Sequence, residues 1–307
     1  MINIKPLNLN KLLALVSLSV FSTAFVFANN VSTSGQSLDK KIAEIEAIHG
    51  GKIGFSAINT FDNKRLEHNA NERFPMCSTY KFILVAAVLK ESMKDKAFLQ
   101  KQLLYNQDEL ITYSPVTKEN LSDGMTIEAL CYAAILSDNT AANLLTKELG
   151  GIASINNFAR SIDDASFRLD RVEPDVNTAI PGDLLDTTTA HAMTNDLQSI
   201  VLGNVLDFMM REKIQKWLID NTTGNARIRA ATPENWSVGD KTGTCSYGTT
   251  NDIAIIWPKD CAPIAISIFF TQPMQNASPK NQVIEKVTEA VLKEFAKTDK
   301  CLLNAMA

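Results

Sequence analysis

Residues 82–89, Phe-Ile-Leu-Val-Ala-Ala-Val-Leu, are apolar without a break, and this run limits the fold more than any other stretch. A segment with no polar position has no side to give to solvent, so it belongs at the centre of a domain. A buried strand and a buried helix both fit such a run. The apolar character reaches towards Met93 and contains Leu84, Ala86 and Ala87, which favours a helix over 78–93. At its start stands Ser78-Thr79-Tyr80-Lys81. That spacing puts a hydroxyl and an amine on one helical face, where the amine can accept or relay the hydroxyl proton. Ser78 is expected in the first turn, whose free N–H groups favour developing negative charge, and Pro75 suits the turn that leads in. An S-x-x-K pair fixes only two residues, and a core helix with an ordinary serine and lysine also satisfies it. The surrounding chain has to decide.

At 307 residues the chain can hold a large core and two subdomains. A formal charge of −4 and the lack of a basic stripe exclude nucleic acid as the expected partner. His49, His68 and His191 stand far apart without metal-ligand spacing, so neither a metal nor another cofactor is expected. Lys5 and Lys11, the apolar segment 12–27 and the ending Val26-Phe27-Ala28 read as a signal peptide over 1–28. The expected course is cleavage after Ala28 and release to the periplasm with no stable membrane anchor; Asn29 offers no lipid attachment point. Export permits disulfides. Five cysteines leave at least one thiol unpaired, and Cys131, in the apolar run 129–136, reads as a buried free thiol.

Along the chain, Leu38, Ile42, Ile45 and Ile48 mark an amphipathic helix ended by Gly50-Gly51. Strands are expected over 52–59 and 65–69, then helices over 78–93, 126–136, 140–149, 152–162, 187–202 and 207–218. Strands return over 236–241, 252–257 and 264–271, and a helix over 281–297 closes the chain. Beginning and end share a type that the middle lacks. The expected fold is therefore α/β plus all-α: an antiparallel sheet flanked by N- and C-terminal helices, with a helical domain inserted. Its boundaries fall at 29–73 plus 221–307 for the α/β domain and 74–220 for the helical domain. The strand after Cys261 runs away for roughly 25 to 30 Å and the last helix returns about as far, so Cys261 and Cys301 can meet and pair.

Two further motifs change the reading of Ser78. Ser137-Asp138-Asn139 stands at a helix junction, and Lys241-Thr242-Gly243 ends a predicted strand and is followed by Thr244. With S-x-x-K, these are three elements of the penicillin-recognising serine enzymes. Over nearly all its mature length the chain resembles the class A serine β-lactamases. The resemblance implies the inserted-domain fold and hydrolysis of the β-lactam amide through a serine acyl-enzyme, the reaction that confers antibiotic resistance, on a small-molecule β-lactam by a monomer. It implies that Ser78 is the nucleophile, that Glu173 and Asn177 hold the deacylating water, and that Lys81 or Glu173 takes the first proton. Ser137 then protonates the leaving nitrogen. The backbone N–H groups of Ser78 and Thr244 receive the oxyanion. Lys241, Thr242, Gly243 and Thr244 form the strand that meets the substrate carboxylate, with Arg227 in support, while Asn139 and Tyr113 contact substrate. Glu173-Pro174 falls in what the resemblance makes an Ω-loop, closed by Arg171 and Asp186, with a bond to proline that the family holds cis. Val172 and Val176 depart from the family's usual residues there.

Cys77 and Cys245 match the cysteine pair of the class A carbapenemase branch, which implies a disulfide between them and carbapenems among the substrates. Two other functions share parts of this motif set. A DD-peptidase needs neither Glu173 nor Asn177. A penicillin-binding receptor that stays acylated is expected to carry an anchor and a signalling domain, neither of which is read here.

Overall fold

The computed structural model describes Met1, residues 37–95 and residues 97–306. The leader reading and its cut after Ala28 rest on residues outside that set. Every element below lies within Gln36–Ala307. Helix α1 (Leu38–His49) leads to β1 (Lys52–Asn59), β2 (Lys64–His68) and β3 (Arg73–Pro75). A 3₁₀ turn, Cys77–Thr79, opens α2 (Tyr80–Ser92). There follow β4 (Gln102–Leu103), β5 (Met125–Thr126), α3 (Ile127–Ile135), α4 (Asn139–Glu148) and α5 (Ile152–Ser161). The chain continues through β6 (Thr187–Thr189), α6 (Ala190–Leu197) and α7 (Phe208–Ile219). It returns through β7 (Ser237–Thr244), β8 (Thr250–Trp257) and β9 (Ile264–Thr271), and ends with α8 (Asn281–Ala296) and α9 (Lys300–Ala305).

Five strands form one sheet in the order β2-β1-β9-β8-β7, and each neighbouring pair is antiparallel. The first strand therefore pairs with the last, which closes the ends of the chain into one layer. Successive residues of a strand point to opposite faces. Ala254 and Ile256 of β8 accordingly join one core, with Ile42 and Ile45 of α1 and Val283, Val287, Val291 and Phe295 of α8. Ile253 and Ile255 join the other, which is built on α2. In α2, Phe82 to Leu89 are all buried, as their unbroken apolar character requires. Fully burying one such side chain stabilises by about 1.5–3 kcal/mol, and α2 thus anchors the helical layer.

Local sequence explains where elements start and stop. Ser37 Oγ accepts from Lys40 N, and Gly50, at φ 68°, ends α1 in the left-handed region that glycine adopts freely. Several boundaries differ from the sequence expectation, and those nearest the cleft are these. Ser78 lies in the 3₁₀ turn ahead of α2, two residues before the α-helix itself. Thr187–Thr189, expected as the start of a helix, is extended and pairs with Arg73–Pro75, which also places Pro75 in a strand. Three β-branched residues in a row suit that state, and Thr189 Oγ1 then caps α6 by accepting from Ala192 N at 3.2 Å. The cap of α4 is Asp138, whose Oδ1 accepts from Ala141 N at 2.9 Å. Strand β7 runs three residues past Lys241, because Thr242, Gly243 and Thr244 keep register with Asp252, Asn251 and Thr250.

The cysteine pairing that the resemblance implies is present, and so is the second one, which the sequence left open. Cys77 bonds Cys245 and Cys261 bonds Cys301, with Cα separations of 5.7 and 5.8 Å. Cys131 is free and buried, and burial pushes its thiol up, out of the range in which it ionises.

Candidate active site

Ser78 faces a cleft of about 360 Å³ between the helical layer and β7. Tyr113, Ser137, Asn139, Asn177, Thr223, Arg227, Thr242 and Thr244 line it with Ser78, and the sequence reading named all of them but Thr223. The other named side chains, Lys81, Glu173 and Lys241, lie behind that lining at 0 to 2 % exposure. Hydroxyls and amides thus meet an incoming molecule, while the principal charges stand one layer deeper. Tyr113 stands at the rim, 57 % exposed.

Lys81 is held from three sides. Its Nζ donates to Asn139 Oδ1 at 2.6 Å and to the Ser137 carbonyl at 3.0 Å, and stands 2.9 Å from Glu173 Oε1. Burial pushes the ammonium below the ordinary lysine range, while Glu173 and then Asp138 pull it back up. Asn139 is itself fixed, since its Nδ2 donates to Thr112 O at 2.7 Å and its backbone N–H to Tyr113 O at 3.0 Å. Asp138 accepts from the backbone N–H groups of Val116 and Thr117 and from Thr117 Oγ1. The Ser137-Asp138-Asn139 corner therefore joins α3, α4 and the segment 112–117. Cys77 at φ 48° and Ser137 at φ 71° both hold left-handed backbone, a strained state that occurs at sites where surrounding contacts impose it.

The loop 171–186 closes on itself. Arg171 Nε meets Asp186 Oδ2 at 2.5 Å, and Asp186 Oδ1 accepts from the backbone N–H groups of Asp170 and Arg171. The Glu173-Pro174 bond is cis. Asn177 Nδ2 donates to Glu173 Oε2, and Val176 is buried beneath them while Val172 faces solvent. Asn143, which the sequence reading missed, clamps the Glu173 backbone in both directions: Nδ2 donates to the carbonyl at 2.9 Å and Oδ1 accepts from the N–H at 3.0 Å. A signal for it existed, because Asn143 follows Asn139 by four residues and shares its face of α4.

The opposite wall is β7. Lys241 Nζ donates to Ser137 Oγ and, at 2.8 Å, to Thr242 O. Burial and then the neighbouring Lys81 push it well below the ordinary lysine range, against Asp240 and Asp252. Arg227 is 7 % exposed, not a surface residue. Its guanidinium donates to Thr244 Oγ1 at 2.6 Å, Gly243 O at 3.0 Å and Asn251 O at 2.6 Å, and Nε to Asn281 Oδ1 at 2.9 Å. Burial lowers its affinity for the proton, opposed by Asp252 and Asp240. Gly243 permits the close approach of β7 to the Cys77–Thr79 turn, since a Cβ there would stand 2.7 Å from Met76 O. Thr223 and Asn251 were also missed. Thr223 Oγ1 pairs with Thr242 Oγ1 at 2.6 Å, and Asn251 Nδ2 donates to the Pro75 and Met76 carbonyls, which fixes the approach to Ser78.

Chemically, this is a hydroxyl beside two buried amines and one carboxylate, with further hydroxyls and a guanidinium on the far wall. It can carry acyl transfer to serine and present cationic donors to an anionic substrate. The chain matches the β-lactamase enzyme family over residues 37–295. It is 44% identical over 266 residues to a β-lactamase of Proteus vulgaris, covering 86% of this chain and 98% of that protein. It is 46% identical over 259 residues to β-lactamase OXY-2 of Klebsiella oxytoca, covering 84% and 89%. With β-lactamase CTX-M-97 of Escherichia coli the identity is 43% over 277 residues, covering 90% and 94%. The crystal structure of a β-lactamase from Desulfarculus baarsii DSM 2075 matches with a TM-score of 0.83 at 44% identity, covering 84% of this chain and 97% of that one. The fold, the cleft and these matches together place the chain in the class A β-lactamases, the β-lactamase enzyme family, whose activity is the hydrolysis of β-lactams.

Proposed function

We propose that the chain opens penicillins, cephalosporins and carbapenems by way of an ester on Ser78. Ser78 Oγ bonds to the lactam carbonyl carbon as its proton leaves to Lys81 or, through water, to Glu173. The C–N bond then breaks as Ser137 delivers a proton to nitrogen. Glu173 next takes a proton from the water that Asn177 helps to hold, the water oxygen bonds to the carbonyl carbon, and Ser78 leaves with its proton restored. The N–H groups of Ser78 and Thr244 receive the oxyanion, and Lys241, Thr242, Thr244 and Arg227 receive the substrate carboxylate. The helical segment 74–220 supplies Ser78, Lys81, Ser137 and Glu173, and the segment 221–307 supplies the carboxylate wall.

One observation carries this reading: a fully buried lysine amine lies 2.9 Å from Glu173 Oε1 and within hydrogen-bonding distance of the Ser137-Asp138-Asn139 corner. A group so placed can exchange protons with its neighbours in either step. Glu173 with Asn177 gives the ester a route to hydrolysis that a DD-peptidase does not need. Nitrocefin with the wild type and Glu173→Ala tests the scheme. Continuous turnover by the wild type is expected, with accumulation of the acyl-enzyme in the variant; a stoichiometric burst from the wild type contradicts it. The carbapenem assignment rests on the Cys77–Cys245 bond beside Ser78. It requires the purified protein to hydrolyse imipenem faster than buffer does.

A further inference from the structure

Two buried polar atoms near the Lys81 ammonium lack any directed hydrogen bond: Tyr80 Oη and Glu173 Oε1. One is a donor and the other an acceptor. Tyr80, the first residue of α2, is 1 % exposed, and the Lys81 Nζ that stands 2.9 Å from Glu173 Oε1 lies 6.0 Å from the centre of its ring. The Glu173 and Asp186 carboxylates both act on the phenol, Glu173 the more strongly. Asp186 is already committed, since its two oxygens accept from the backbone of Asp170 and Arg171 and from Arg171 Nε. Glu173 Oε2 is likewise committed to Asn177. The acceptor left for a buried phenol is Glu173 Oε1, and buried donors seldom go unpaired.

We propose that Tyr80 donates a hydrogen bond to Glu173 Oε1 and is a positioning residue that sets the orientation and basicity of that carboxylate. This rests on the assignment of Glu173 as the base of deacylation. The phenol keeps its proton throughout the working range, because burial, Glu173 and Asp186 all oppose its ionisation. The other charged groups of the pocket are Lys81 on α2, Asp138 at the head of α4 and Lys241 on β7. A donor to a carboxylate favours its charged form and weakens it as a base. It also occupies an oxygen that water could otherwise use. Removal of the phenol oxygen therefore gives a stronger base that loses its charge at a higher pH.

The test is the decay of the imipenem acyl-enzyme from pH 4.5 to 9, followed by acid quench and intact mass spectrometry in wild type, Tyr80→Phe and Glu173→Gln. Tyr80→Phe is expected to move the acid limb of decay upward by roughly half a pH unit and to raise the plateau rate about twofold. A profile that superimposes on the wild type, or a rate lowered equally at every pH with the limb unmoved, overturns the proposal. If the adduct persists in Glu173→Gln, the base assignment stands whatever Tyr80→Phe does. If Glu173→Gln decays like the wild type, that assignment fails and the role of Tyr80 fails with it.

Discussion

Asn143 is the residue whose contribution is hardest to see from outside the cleft. It does not line the cleft, yet its amide fixes both backbone polar groups of Glu173. Two hydrogen bonds of this kind contribute about 1–3 kcal/mol together. A carboxylate shifted by a fraction of an ångström loses much more in rate than the fold loses in stability. Asn143→Ala is expected to lower deacylation by about ten- to a hundredfold while leaving acylation nearly intact, which stopped-flow nitrocefin kinetics can separate. Asp196 makes a pH argument at the same scale. It is 1 % exposed, and neither its Oδ2 nor that of Asp164 has a hydrogen-bond partner. Burial, and after it Asp164, raise the Asp196 carboxyl well above the usual range, and Arg160 opposes them. A carboxyl raised in the folded state stabilises that state while it keeps its proton and loses the effect as pH rises through its folded value. The urea midpoint is therefore expected to fall as pH rises above the ordinary carboxyl range of about 4 in the wild type, and to fall less in Asp196→Asn.

Among the elements, the tie between the 3₁₀ turn and the end of β7 matters most. Cys77 and Cys245 close a loop of 168 residues in sequence, directly beside Ser78 and Thr244. The next residue, Ser246, donates its N–H to Asn177 O at 3.2 Å, so the same corner also steadies the loop that carries Glu173. Cys77→Ser with Cys245→Ser is expected to cost about 2–4 kcal/mol, which is a fall in melting temperature of about 4 to 8 °C for a chain of this size. Imipenem turnover is expected to fall further than nitrocefin turnover, and parallel steady-state assays read that ratio. β6 shows why some elements were not legible. Its three threonines fit a strand or a capped helix equally well, and pairing with Arg73–Pro75, more than a hundred residues earlier, decides between them.

For the molecule as a whole, what could be read in advance was what is written locally. The apolar run 82–89 announced the central helix, the 3.6-residue spacing of Val283, Val287, Val291 and Phe295 announced α8, and the three motifs marked the cleft. Thr223 and Asn251 were missed because each meets a group set opposite it only by folding, with no periodic signal in the chain. Arg227 was named, but its depth was not foreseen, because its carbonyl partners belong to strands formed later in the chain.

The bond from Arg227 Nε to Asn281 Oδ1 has a practical consequence. Asn281 is the first residue of α8, beyond the surface loop that leaves β9, so the last stretch of chain reaches into the support of Thr244. A break in that loop, between Met274 and Ser278, gives two fragments of which neither holds the whole arrangement. Each is expected to be silent towards nitrocefin alone and to recover colour when fused partners bring the pieces together. The fold in this way offers a reporter of association, read by eye, that depends on one arginine and the helix behind it.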